Sequence, residues 1–88
     1  MLWITKKQAN GLATLRVEGK LQGPWVETLR EEARQAQVAG LVQLDLTDMA
    51  FVDRTGVELL RDLVRGGVHI ANCSNFVREL LHAEGTKP

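Results

Sequence analysis

The segment DMAFVDRTGVELL, Asp48 to Leu60, holds most of the polar chemistry of this chain. Asp45, Asp48 and Asp53 bring three carboxylates close together in sequence, and Thr55 adds a hydroxyl just before a glycine and a leucine-rich stretch. Three acids at one edge of a fold could serve metal binding or acid–base work. Acids also suit turns and helix starts, where they accept backbone N–H groups or face the positive end of a helix dipole. The further convergent groups that catalysis needs are not evident, so an enzyme is not expected. Thr55 has two readings. In Thr-Gly-Val-Glu it fits the N-cap of a helix, with Glu58 completing a capping box three residues on. It also fits a phosphoacceptor, because a helix start has free N–H groups and partial positive charge. A phosphate there adds close to two negative charges to whatever surface surrounds it. Spacing leaves both readings open, and a cap can also be a phosphoacceptor.

The remaining reactive residues carry less. His69, Cys73 and His82 have no recognised metal-ligand spacing, so neither a metal nor a cofactor is expected. His82 late in a helix favours the dipole there. Cys73 stands alone, so no internal disulfide forms, and it reads as a small, partly buried residue. Arg65-Gly66-Gly67-Val68-His69 follows a helix and enters a strand, the reverse of a nucleotide-binding arrangement. Eleven basic residues balance eleven acidic ones. A neutral chain offers no clustered charge for nucleic acid or an anionic membrane. The start, MLWITKKQ, lacks the basic-then-apolar order of a signal peptide. The longest apolar run is far short of the roughly 20 residues that span a bilayer. A cytoplasmic protein without direct membrane insertion is expected.

The elements that must position Thr55 can be read from period and punctuation. The 88 residues make a single domain over 1–88 with one core. Residues 2–21 read as two strands around Asn10-Gly11, a pair that tolerates positive φ in a tight hairpin. Leu15, Val17 and Leu21 alternate with Arg16, Glu18 and Lys20, the period of a half-buried strand. A helix follows from Pro24, with Trp25, Leu29, Ala33 and Ala36 as its apolar stripe and Gly40 as its stop. Trp25 is therefore expected in the core, whereas Trp3 on the first strand would mark an interface if exposed. Val42, Leu44 and Leu46 mark a strand covered on both faces. The loop DMAFVD leads to a second helix over 55–65, with Val57, Leu59, Leu60, Leu63 and Val64 apolar. VHIAN is the last strand. Ser74 caps the last helix, whose stripe is Val77, Leu80 and Leu81 and whose end is Gly85. The order β-β-α-β-α-β-α predicts an α/β fold with a mixed sheet of about four strands backed by helices. The Asp-Arg-Thr-Gly turn is expected at the carboxyl end of the third strand, an edge where such folds commonly put binding or modification sites.

LDLTDMAFVDRTGVELL resembles the central motif of STAS domains, the bacterial anti-sigma-factor antagonists with the SpoIIAA-like fold. Asp45, Leu46 and Thr47 match the strand-end part of that motif. Phe51, Val52, Asp53, Thr55 and Gly56 match the Asp-Ser-Ser-Gly or Asp-Ser-Thr-Gly part. Gly19-Lys20-Leu21 sits at the family's Gly-x-Leu, and GVHIANCSNFVRELL looks like its fourth strand and third helix. The likeness runs to about residue 82. It implies a non-catalytic switch in signal transduction and transcription regulation. The unphosphorylated domain binds an anti-sigma factor, often also a Ser/Thr kinase, and phosphorylation at the Thr55 position releases it. The partner surface then includes Asp45, Asp48, Asp53, Arg54, Thr55, Gly56, Glu58 and Arg61. Arg54 departs from the usual Ser, and Glu58 stands where a small or apolar residue is common. The family's last strand and helix have no counterpart, so a C-terminally shortened domain is expected. STAS-like proteins also occur as small subunits of bacterial ABC transporters that move phospholipids. There the alternative partner is the transporter ATPase, and Thr55 is a contact without phosphorylation.

Overall fold

The computed structural model describes residues 1–85, with side chains to Leu81. In chain order the elements are β1 (Leu2–Ala9), β2 (Leu12–Leu21), α1 (Pro24–Ala39), β3 (Leu41–Leu46), β4 (Met49–Val52), α2 (Arg54–Arg65), β5 (His69–Cys73) and α3 (Asn75–Gly85). β1 and β2 form the expected antiparallel hairpin, turning at Asn10 and Gly11, both at positive φ. β3 pairs in parallel with β2 on one side and with β5 on the other, giving the order β1-β2-β3-β5.

The sheet has five strands where about four were expected, because part of the DMAFVD loop is itself a strand. β2 outruns its neighbour: β3 pairs with Leu12–Arg16 and leaves the end of β2 open. After a turn at Thr47-Asp48 the chain continues in the same direction along β2, and β4 pairs in parallel with Gly19–Leu21 across a bulge. Backbone N–H and C=O groups that would otherwise lack partners are satisfied in this way.

The strands bury one face. Leu15, Val17 and Leu21 of β2 and Val42, Leu44 and Leu46 of β3 point into the core, where the helices cover them. α1 contributes Val26, Leu29, Ala33 and Ala36, α2 contributes Val57, Leu59, Leu60 and Leu63, and α3 contributes Val77. Each large side chain buried this way stabilises the fold by about 1.5–3 kcal/mol. The other face corrects the expectation that β3 is covered on both sides. Gln43 and Asp45 are only half-buried there, and Leu41 is 72% exposed. Leu29, Ala33 and Ala36 of the expected α1 stripe are buried, and only its first position differs. Val26 takes the buried position and Trp25 lies at the surface, because both neighbours are apolar and only packing distinguishes them. Val64, expected on the buried stripe of α2, is likewise exposed.

The ends of the helices follow their punctuation. Pro24 opens α1 at its first position. Gly40 closes it, and a Cβ at Gly40 would meet the Gly11 carbonyl oxygen at 2.8 Å, so β3 can begin only if that residue is bare. The Ser74 hydroxyl accepts the Val77 N–H at 3.3 Å, as a cap should. The expected dipole role of His82 lies outside the described side chains, and the described α3 runs through Gly85. No helix among the described residues is long and apolar enough to cross a membrane.

Candidate functional site

The site lies where β2 and β4 end side by side and α1 and α2 begin. The Asp53 N–H still donates to the Leu21 carbonyl at 3.0 Å, so the chain leaves the sheet at that residue. Asp53 itself is extended and is the N-cap of α2. Its Oδ1 accepts the Gly56 N–H at 2.8 Å. This corrects the capping-box reading, in which Thr55 was the cap and Glu58 its return partner. The helix starts one residue earlier than expected, and Thr55 stands inside its first turn.

Thr55 is exposed, and its hydroxyl donates to Asp53 Oδ1 at 2.9 Å. The second oxygen, Asp53 Oδ2, accepts the Gly23 N–H at 3.0 Å. Gly23 is the residue that precedes α1. One carboxylate therefore ties the starts of both helices together and orients the Thr55 hydroxyl. The N–H groups of Gly56 and Gly23, then the Thr55 hydroxyl, hold the Asp53 carboxyl below its ordinary value. It is ionised at neutral pH.

Gly56 is required by packing. A Cβ there would stand 2.8 Å from Val52 Cγ1 and 2.9 Å from the Leu21 carbonyl oxygen. Removing the side chain lets α2 start directly against the end of β2. The Asp-x-Thr-Gly spacing thus has a physical basis: the acid caps, the hydroxyl is presented outward, and the glycine permits the close approach.

The two departures from the family pattern meet each other. Arg54 Nε lies 3.7 Å from Glu58 Oε2, one turn apart on the exposed side of α2. Such a pair contributes little to stability, but it sets a cation beside Thr55 and offsets part of the Glu58 charge. Arg61 follows two turns from the helix start and is half-buried.

Asp45 and Asp48 belong elsewhere. Asp45 Oδ1 accepts the Thr47 hydroxyl at 2.7 Å and the Thr47 N–H at 3.1 Å, closing the turn between β3 and β4. Those two bonds, with a smaller contribution from the Arg16 charge, lower the Asp45 pKa. Asp48 pairs with Arg16, which also lies 3.5 Å from Glu18. The length of β4 parts Asp48 from Asp53 by about 16 Å, at roughly 3.3 Å per residue. The three acids do not converge, and the structure gathers only Asp53, Arg54, Thr55, Gly56 and Glu58 around one helix start. Among the described residues no group of three or more His, Cys, Asp and Glu side chains is arranged to hold a metal ion. Sequence reasoning missed Gly23 and Arg16. Gly23 before Pro24 was a usable signal for a second helix start, but nothing local marks its contact with a residue thirty positions on.

No family model and no curated protein matches the chain. Solved structures do. The anti-sigma factor antagonist SpoIIAA in its unphosphorylated form is 22% identical, with a TM-score of 0.76 over 94% of this chain and 81% of that one. The fold is STAS-like. The Bacillus cell fate determinant SpoIIAA in its phosphorylated form, also 22% identical, gives 0.73 over 94% of this chain and 84% of that one. An uncharacterised DUF3478-family protein with a SpoIIAA-like fold, from Shewanella loihica, is 13% identical and gives 0.59 over 96% and 75%. The fold expected from the Asp45-Leu46-Thr47 and Asp53-Arg54-Thr55-Gly56 motifs is therefore the observed one.

Proposed function

We propose that this chain is a single-domain, non-catalytic regulatory module that binds an anti-sigma factor of the Ser/Thr kinase type and is released by phosphorylation of Thr55. The observation that carries this reading is the Thr55 hydroxyl, exposed in the first turn of α2 and held at 2.9 Å by a carboxylate. SpoIIAA, which shares the fold, is an anti-sigma factor antagonist that exists in phosphorylated and unphosphorylated forms. The surface around Thr55 carries Asp53, Arg54 and Glu58, a net charge of one negative. A phosphate adds close to two negative charges at its centre. Like charges set against a docked partner cost several kcal/mol, enough to abolish binding without unfolding the domain. Arg61, two turns along α2, extends the proposed contact surface, whereas Asp45 and Asp48 at the turn between β3 and β4 lie apart from it.

The test is capture of partners from native cytoplasm by tagged wild-type protein beside Thr55→Glu. Recovery of a kinase-type anti-sigma factor by wild type alone supports the reading. Equal recovery by both variants refutes control through Thr55. An ABC transporter ATPase recovered by both assigns the chain to a transport system and makes Thr55 a simple contact.

A further inference from the structure

Asp53 is shared between two helices, and that sharing reaches beyond the capping of α2. Its Oδ1 serves α2 through the Gly56 N–H and the Thr55 hydroxyl, while its Oδ2 holds the Gly23 N–H at the start of α1. The first turn of α1 depends on few other anchors. Gly23 has positive φ and offers no side-chain cap, and the turn is closed by the Trp25 and Val26 N–H groups on the Gln22 and Gly23 carbonyls. Trp25 stands exposed on that turn.

We infer that Asp53 is a positioning residue that transmits the chemical state of Thr55 to the exposed first turn of α1, so that the regulated surface includes Gly23, Pro24 and Trp25. This rests on the reading of Thr55 as a switch. The unmodified hydroxyl donates a hydrogen to Oδ1 and keeps the carboxylate aligned with both N–H groups. An anion on Oγ1 removes that donor and sets like charge against Oδ1. The carboxylate turns away, and the Gly23 N–H loses its acceptor. The Gly56 N–H, inside the α2 turn, has the modified side chain itself as a nearby negative group. Among the described residues the Gly23 N–H has no such substitute and is left to water, so the effect falls on α1.

Amide hydrogen exchange on the isolated protein tests the inference without a partner. Leu44 in β3 serves as the control for global stability. In Asp53→Asn one side-chain oxygen remains, and it can serve only one helix. Gly56 is expected to keep it, because Asn is as good an N-cap as Asp. Gly23 exchange then accelerates at least about tenfold, the lower end for a lost charge-assisted hydrogen bond. Thr55→Glu should accelerate Gly23 in the same direction and by more than Thr55→Ala, which removes the donor without adding charge. Leu44 reports whatever global stability each variant loses, and Gly23 should accelerate by more than Leu44 in Asp53→Asn and Thr55→Glu. Unchanged Gly23 exchange in Thr55→Glu overturns the inference, as does equal acceleration in Thr55→Ala and Thr55→Glu. If Asp53→Asn fails to fold, the Thr55 pair still decides. Accelerated Gly23 exchange alongside unaltered partner capture by Thr55→Glu would leave the coupling intact and defeat the switch.

Discussion

Replacing Gly56 by Ala should destabilise the protein, although Ala is the better helix former. In an ordinary helical position the change gains about 1 kcal/mol. Here the new methyl would meet Val52 Cγ1 at 2.8 Å, the Leu21 oxygen at 2.9 Å and Leu21 Cγ at 3.1 Å. Both residues are buried, and the Leu21 oxygen belongs to the strand backbone and accepts the Asp53 N–H. Relief therefore requires the start of α2 to move away from β2 by roughly 0.5 Å, the gap to ordinary contact distance in a close-packed interior. Overpacking costs about 1–3 kcal/mol, and a backbone obstacle puts this site in the upper part of that range, about 2–3 kcal/mol. The net expectation is a loss of about 1–2 kcal/mol. Urea unfolding with a slope near 1 kcal/mol per molar would show a midpoint lower by about 1–2 M. A variant as stable as wild type, or more stable, would refute the close-approach argument and leave Gly56 without a structural reason.

Further outcomes follow from the same contacts. Ser74→Ala removes the cap of α3 and should cost about 0.5–2 kcal/mol, read as a fall in thermal midpoint of several degrees. Leu59→Ala in the core should cost about 2–5 kcal/mol, whereas Leu41→Ala on the open face should stay within about 0.5 kcal/mol, and equal losses by urea unfolding would contradict the one-sided core. Asp53 and Asp45 have depressed folded pKa values, so their stabilisation is complete above the unfolded value near 3.9 and disappears as pH falls through the folded values. Urea midpoints should therefore be flat from pH 7 to about 5 and fall progressively below about 4, less steeply in Asp53→Asn; an identical profile in that variant would contradict the role given to Asp53.

The fold was legible where period and punctuation agreed. Asn10-Gly11, Pro24, Gly40 and Ser74 each did locally what their chemistry dictates, and the alternation of Val42, Leu44 and Leu46 marked the central strand. β4 was not legible, because four residues across a bulge carry no period, and its existence depends on the overhanging end of β2. The cap of α2 was misplaced by two residues. Asp53 and Thr55 are both good caps, and the choice was made by the Asp53 N–H, which is still bonded to the sheet. Trp25 and Val26 were interchangeable by pattern, and only packing put the smaller one inside. Within the site, the importance of Asp53, Thr55 and Gly56 was readable from their spacing. The bond from Gly23 to Asp53 was not, since it joins segments thirty residues apart that meet only after folding.

In the proposed function the charge state of Thr55 controls docking. Its most direct test is calorimetric titration of the captured anti-sigma factor with the wild-type chain before and after stoichiometric phosphorylation, confirmed by a mass gain of about 80 Da mapped to Thr55. Measurable affinity is expected for the unmodified chain, with a loss of at least about a hundredfold after modification, the scale of like-charge repulsion in a docked surface. Equal affinity of the two forms, or a phosphate mapped to another residue, would contradict it.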